Sequence, residues 1–413
     1  MTLQAQQRLD YLDAVRGFAL ILGIIFHASL SFMPVFIGWA VMDISTSNVV
    51  SIFVLISHSF RMEVFFLIAG FFSHMTFHRR GMQAFIQSRL VRIAIPFLLG
   101  WFLLRPLLVS GWIMGGESMR GEVDTLAGLT QAFALLKDDT TNWFVGTHLW
   151  FLYYLIMVAI SVVVVRQVIF INTTLANKMS RFVDKVVQHI AATRLVCVAV
   201  IAVIALCLWY MENWGMDTPD KSLLPHVPVV LVYGGFFLFG WLLHRQPQQL
   251  DRFAKLSWAK SVTCVGTIVL CTVLSPYAMQ QGHPQYVWLK LAFVTSYAVM
   301  MWLLVSIFIG VCQRLFSRNN SVIRYIADSS YWLYLVHLPI VIWLQVALAE
   351  LPLHWSLKLI AICTLTIGMS LLIYDLLIRP TIVGNVLNGN RRRSVIVSRL
   401  LAKAASERHS AKG

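Results

Sequence analysis

Apolar residues in this chain come in long runs separated by short polar stretches. Ten of these runs, each about 20 residues, are long enough to cross the ~30 Å hydrocarbon core of a bilayer as helices. They lie near 14–33, 50–74, 93–114, 148–170, 194–212, 227–244, 258–276, 287–312, 326–349 and 356–378. The pattern predicts an all-α fold, a polytopic integral membrane bundle of about ten transmembrane helices. An outer-membrane barrel would instead show short alternating strands. The first run is too long for the core of a cleaved signal sequence and reads as a retained span. In 115–147, Leu126, Leu129, Phe133 and Leu136 recur at helical spacing, which predicts an amphipathic helix lying on the outer face.

Composition agrees. Of 413 residues, 58% are hydrophobic and 12% charged, against about 25% charged in a soluble domain. A net charge of +15 raises the question of nucleic acid, but the distribution of the charge answers it. Lys and Arg alternate between loops. They are absent from 34–49, 277–286 and 350–355, and each of 75–92, 171–193, 245–257 and 313–325 carries three or four. Loop 213–226 has only Lys221, and Arg120 and Lys137 of 115–147 are outnumbered by acids. By the positive-inside rule the basic loops and both termini are cytoplasmic. The charge therefore serves orientation in the lipid bilayer, and no nucleic-acid partner is expected. Residues 1–390 read as one transmembrane domain and 391–413 as a basic cytoplasmic tail able to meet anionic head groups. The six cysteines all fall in or beside apolar runs without metal-type spacing, so they read as apolar filler, and no metal site is predicted.

Ionisable groups inside spans are costly and are functional candidates for that reason. Arg16 and His27 stand 11 residues apart in the first run, which puts them on one helix face and ~16 Å apart along the axis. Arg16 suits an anion anchor at the cytoplasmic mouth or a snorkelling interfacial arginine. His27 suits a proton acceptor near mid-membrane or a hydrogen-bonded bundle histidine. The second run carries His58, Arg61 and Glu63 in its middle. Arg61 at that depth needs a substrate carboxylate or phosphate, a set of carbonyls, or an ion pair to another helix. Arg89 and Arg92, at i and i+3, share a face in an α-helix and suit a nucleotide phosphate or a positive-inside anchor. His148 and Trp150 open the fourth run, where Trp150 also fits an interfacial belt. Ser330, Tyr334 and His337 bring hydroxyls and a histidine into the ninth run, for chemistry or for bonding between helices. Asp13 completes the candidates. His74, His78, His189, His226, His244, His283, His354 and His409 sit at run ends or in loops and read as solvated.

These residues resemble a family. Leu12-Asp13-Ala-Val-Arg16-Gly through Phe26-His27 is similar to the signature of the membrane acyltransferase-3 family. Phe65-Phe66-Leu-Ile-Ala69-Gly70-Phe71 resembles its second-span motif, although many members have Ser at the position of Ala69. Arg89-Leu-Val-Arg92-Ile-Ala-Ile-Pro96, His148-Leu-Trp150-Phe-Leu and Ser330-Tyr-Trp-Leu-Tyr334-Leu-Val-His337 follow in the family's order. Within the family, the glucan succinyltransferases are most similar. The resemblance implies a multi-pass protein of the bacterial inner membrane. It would carry an acyl group, succinyl among the candidates, from cytoplasmic acyl-CoA to a periplasmic glucan or other polysaccharide. Acyl-CoA is then a co-substrate, and no bound cofactor is expected. His27 would act as base or acyl carrier, Arg61 would meet a carboxylate or oxyanion, and Arg16, Arg89 and Arg92 would grip donor phosphates. One polar cavity lined by His27, Arg61 and His337 and reached from both sides is expected. A solute transporter is the alternative, but the repeated halves and paired broken helices common in that class are not evident.

Overall fold

The computed structural model describes residues 10–118, 121, 123–138, 145–192, 194–318, 320–388 and 391–398. The chain forms α1 (Asp10–Ser29), α2 (Asn48–His58), α3 (Arg61–Arg89), α4 (Ile95–Ser118), α5 (Thr125–Ala134), α6 (Trp150–Ile171), α7 (Thr173–Ala192) and α8 (Arg194–Trp209). It continues with α9 (Val227–Arg245), α10 (Pro247–Ala254), α11 (Trp258–Leu274), α12 (Tyr286–Leu315), α13 (Ser321–Leu348), α14 (Trp355–Ile373) and α15 (Ile382–Asn388). No strand occurs among the described residues. Every one of the ten apolar runs falls on a helix. Among the described residues, eight helical stretches are long and apolar enough to cross a membrane, one of them the composite stretch 48–118 that joins α2, α3 and α4, and Cys197–Trp209 is a shorter apolar helix. Within 115–147, where an amphipathic helix is expected, α5 forms over Thr125–Ala134, capped by the Asp124 carboxylate on the Leu126 and Ala127 amides.

Three differences from the sequence reading matter. The basic stretch 75–92 is largely helical, because α3 runs to Arg89 and turns only at Gly81, whose φ of 78° is left-handed and suits glycine. Second, 171–193 contains α7, with Leu175, Met179, Phe182, Val183 and Val186 at helical spacing. Third, the second run is two helices: α2 ends at His58 and α3 begins at Arg61. At that break, the Ser57 hydroxyl donates to Phe53 O at 2.8 Å and the Ser59 hydroxyl to Ile56 O at 2.8 Å, side-chain bonds that compete with a continuous ladder.

The helices form two compact units, neither contiguous in sequence: 1–26, 48–90 and 142–324 in one, 27–47, 91–141 and 325–413 in the other. In the first, α3 and α9 pack closely because each presents a glycine at the crossing. A Cβ on Gly70 would lie 1.9 Å from Phe237 O, and one on Gly240 would lie 1.8 Å from Leu67 O. Lys260 turns its ammonium onto Phe253 O, Lys255 O and the Ser306 hydroxyl.

In the second unit, Ala40, Val41, Leu108, Leu338, Ile342 and Ala349 make an apolar core. Gly115 lets the loop after α1 approach α4, since a Cβ there would meet Ala40 O at 2.1 Å. The first described residues of the predicted tail dock rather than trail. Asp375 accepts from the Ser394 hydroxyl at 2.6 Å and from the Val395 and Ile396 amides, and Arg392 pairs with Asp328. Residues 399–413, with most of the tail's basic cluster, lie outside the described residues.

Candidate active site

The second unit holds a histidine pair. The His27 and His337 rings lie 5.3 Å apart between centroids, tilted by 43°. His27 sits two residues before the end of α1 and is half-buried, and His337 is buried at mid-α13. Tyr334 O and Leu333 O lie 2.8 and 3.1 Å from His337 Nδ1. Carbonyls only accept, so Nδ1 carries the proton.

The pair is framed by residues that the sequence did not single out. The Trp39 indole stacks on His27 at 5.7 Å and donates Nε1–H to Gln345 Oε1 at 3.0 Å. The Gln345 amide in turn donates to His27 O and Ala28 O, both at 3.0 Å. Trp112 meets the edge of Trp39 at 5.3 Å.

The loop carrying Trp39 is itself anchored. Lys358 donates to both Asp43 oxygens, at 2.8 and 3.0 Å, and to Ala349 O at 2.9 Å, in a fully buried cluster. Burial raises the Asp43 carboxyl above its ordinary range, and Lys358 and the Ser45 amide oppose that shift. The Trp355 amide donates to the Ser45 hydroxyl at 3.0 Å. Gln345 and Lys358 were detectable as polar groups within apolar runs. Trp39 and Asp43, in a loop between apolar runs where such residues are ordinary, gave no signal.

Other candidates of the second unit are built into helix contacts. The Ser330 hydroxyl turns back on Ala327 O at 2.8 Å. The Tyr334 ring is 6.2 Å from His337. Arg92 lies in a π-helical turn, Leu90–Ala94, and its carbonyl accepts from the Tyr331 hydroxyl at 2.6 Å. That π turn removes the α-helical step on which a shared face for Arg89 and Arg92 depended.

In the first unit the candidates gather around the α2–α3 break. His58 Nε2–H donates to Met216 O at 2.8 Å, and its ring stacks on Phe26 at 5.5 Å. The Arg61 guanidinium lies 4.2 Å over the Phe26 ring. Gly23 packs beside it, where a Cβ would make an ordinary 3.6 Å contact with Arg61 Cδ. Arg61 and Glu63 are buried in the first turn of α3, where backbone amides have no acceptor within the helix. Neither Glu63 oxygen has a hydrogen-bond partner among the described residues, and Tyr233 and Tyr297 lie within its electrostatic reach.

Trp150 stacks on Tyr233 at 5.6 Å, and His148 lies half-buried in the turn before it. Thr147 in that turn has a φ of 52°, a strained value for a residue with a side chain. Toward the other end of α1, Arg16 Nη2 is 3.5 Å from Asp13 Oδ1. Arg89 donates to the Ser73 hydroxyl at 3.0 Å.

One reading of the histidines is corrected. His74 is buried, and its Nδ1 is 2.8 Å from His244 Nδ1, because α3 continues past the expected end of the span and packs against α9. His409 lies outside the described residues. No metal-binding cluster of His, Cys, Asp or Glu occurs among the described residues.

The second unit thus brings two histidines together, and the first buries one arginine, Arg61, at a helix start. The family model described as Acyltransferase domain matches residues 9–375, so the chain belongs to that acyltransferase family. It is 24% identical to Glucans biosynthesis protein C of Escherichia coli (strain K12), over 93% of this chain and 95% of that one. The proteins of the same name from Escherichia coli O139:H28 and O1:K1 / APEC match at the same identity and coverage. No solved structure matches.

Proposed function

We propose that this chain is an inner-membrane enzyme that transfers an acyl group, succinyl foremost, from cytoplasmic acyl-CoA to a hydroxyl of a periplasmic glucan. The observation that carries the reading is the His27–His337 pair held by Trp39 and Gln345. A sugar hydroxyl is a weak nucleophile until its proton is taken, and a neutral imidazole takes it. In the step proposed, His27 accepts the hydroxyl proton as the oxygen attacks the thioester carbonyl. The C–S bond then breaks, and the proton passes to the departing CoA thiolate. The glucan substrate is suggested by the names of the relatives in Escherichia coli.

Succinyl is favoured because its free carboxylate would complement Arg61, a buried cation at a helix N-terminus, where amides and dipole favour an anion. Arg16, Arg89 and Arg92 are assigned the donor phosphates. The basic loops and termini face the cytoplasm in this scheme.

The test is mass analysis of periplasmic glucans from cells lacking the chain, cells carrying it, and cells carrying His27→Ala. An acyl mass increment that appears with the intact chain and disappears with His27→Ala at equal membrane abundance is expected. Glucans of unchanged mass in all three strains would sink the acceptor. An increment kept by His27→Ala would sink the base. With purified protein, release of free CoA thiol should depend on added glucan.

A further inference from the structure

The first unit contains a cavity of about 940 Å³ that the acyl-transfer scheme does not use. Small-molecule cavities run to ~1,000 Å³, so it is large enough for a sizeable ligand. It lies between α6 and α9, with α7 against it. Along α9 it runs from Val230 to Arg245, about 22 Å by helical rise, which exceeds one leaflet of a ~30 Å hydrocarbon core.

The walls are aliphatic, with Val158, Val162, Val165, Leu231 and Leu238 among them. Val165, Leu231 and Leu238 leave much of their surface uncovered. Gly234 and Gly235 on α9 carry no side chain to fill the space.

One end is different in kind. Arg166, Arg245, His74 and His78 line it together. Arg245 is paired with Asp184 at 2.9 Å. Arg166 is not matched in this way. Its guanidinium lies 4.8 Å over Phe77 and 4.2 Å over Phe170, and among the described residues no carboxylate stands within ion-pair distance. A cation at a span end, stacked on aromatics but with its in-plane N–H donors uncommitted, is suited to a phosphate.

We infer that this groove is a binding site for an anionic glycerophospholipid of the basic, inward-facing leaflet. The phosphodiester sits at Arg166, with His78 beside it, and the acyl chains lie along the α6 and α9 walls. Charge complementarity selects the occupant. A zwitterionic lipid brings an ammonium into a cluster that already holds two guanidinium groups, and an anionic headgroup does not. Basic pockets between membrane helices with an apolar continuation are the usual form of such sites.

The probes are vesicles or mixed micelles of phosphatidylglycerol and of phosphatidylethanolamine. The readout is native mass spectrometry of the full chain after detergent exchange, with thermal unfolding in the same detergent. Wild-type protein should retain phosphatidylglycerol over phosphatidylethanolamine. Arg166→Gln should lower phosphatidylglycerol retention by about tenfold, leaving phosphatidylethanolamine and the lipid-free unfolding midpoint unchanged. Val162→Trp, which fills the groove, should remove both. If that variant does not fold, Arg166→Gln decides alone. Equal retention of the two lipids would overturn the inference, as would retention indifferent to Arg166. Stoichiometric displacement of the lipid by palmitoyl-CoA would assign the groove to an acyl donor and overturn it equally.

Discussion

Gln345 shows how much of the candidate active site depends on a single amide. Its two ends make opposite kinds of bond: Oε1 accepts from Trp39, and Nε2 donates to the last-turn carbonyls of α1 at His27 and Ala28. These carbonyls lie where α1 gives way to the 3₁₀ turn Leu30–Phe32, and the side chain bonds them in a place from which water is largely excluded. Gln345→Met keeps the volume and removes all three bonds. It should destabilise the protein by about 1–3 kcal/mol and lower turnover, with membrane insertion intact. Thermal unfolding and initial rates on the same preparation check this, and an unchanged midpoint would show that the amide does not hold the frame. The sequence made His27, Arg61 and His337 legible because an ionisable group inside an apolar run is conspicuous. It hid Trp39 and Asp43 because a tryptophan or aspartate in a loop is unremarkable until a distant residue meets it. Gln345 lies 306 residues from Trp39, so no local spacing links them. The same limit applies to His74, whose burial is decided by His244, 170 residues on.

At the scale of helices, the tightest constraint is the α3–α9 crossing. With Leu67 O against Gly240 and Phe237 O against Gly70, the two backbones touch without side chains between them. Membrane helices gain no hydrophobic drive from meeting each other, so close packing of this kind is a main source of their association. Gly70→Ala or Gly240→Ala puts a Cβ into a carbonyl, and the helices must separate. The expected cost exceeds the ~1–3 kcal/mol of ordinary overpacking. Gly266→Ala on α11, where nothing lies within 4 Å, is the matched control and should be neutral. Equal unfolding midpoints for Gly240→Ala and Gly266→Ala in detergent would refute the close crossing. Helix existence was legible throughout, because run length in a bilayer is a strong signal. Helix ends were not. α3 passes through a stretch that charge alone marked as a loop, and only the φ of Gly81 reveals its bend. The period of α7 was present in Leu175, Met179, Phe182, Val183 and Val186, but three basic residues in the same segment had marked it as a loop.

For the whole molecule, sidedness turns on α8. The helix has 16 residues, about 24 Å by rise, which is shorter than a ~30 Å core. If α8 crosses, the stretch around Asp217 lies outside and Arg245, Arg252 and Lys255 return inside, and the alternation of charge holds along the chain. If α8 only dips, every later loop changes side, and 313–325, with its three arginines, would face outward. Two features favour crossing. At its C-terminal end, Trp209 stands against Lys290 at 5.2 Å, and Trp214 donates to the Tyr286 hydroxyl at 3.0 Å, an aromatic cluster of the kind that anchors an interface. At its N-terminal end, α7 delivers the chain as an amphipathic helix suited to lie in the opposite interface, and a short span between two anchored ends is accommodated by local thinning. Reporter fusions at Asp217 should therefore give an outside signal, and fusions at Lys255 and Arg318 an inside one. An inside signal at Asp217 together with an outside signal at Arg318 would mean that α8 does not cross, and would reverse the sidedness of α9 through α14.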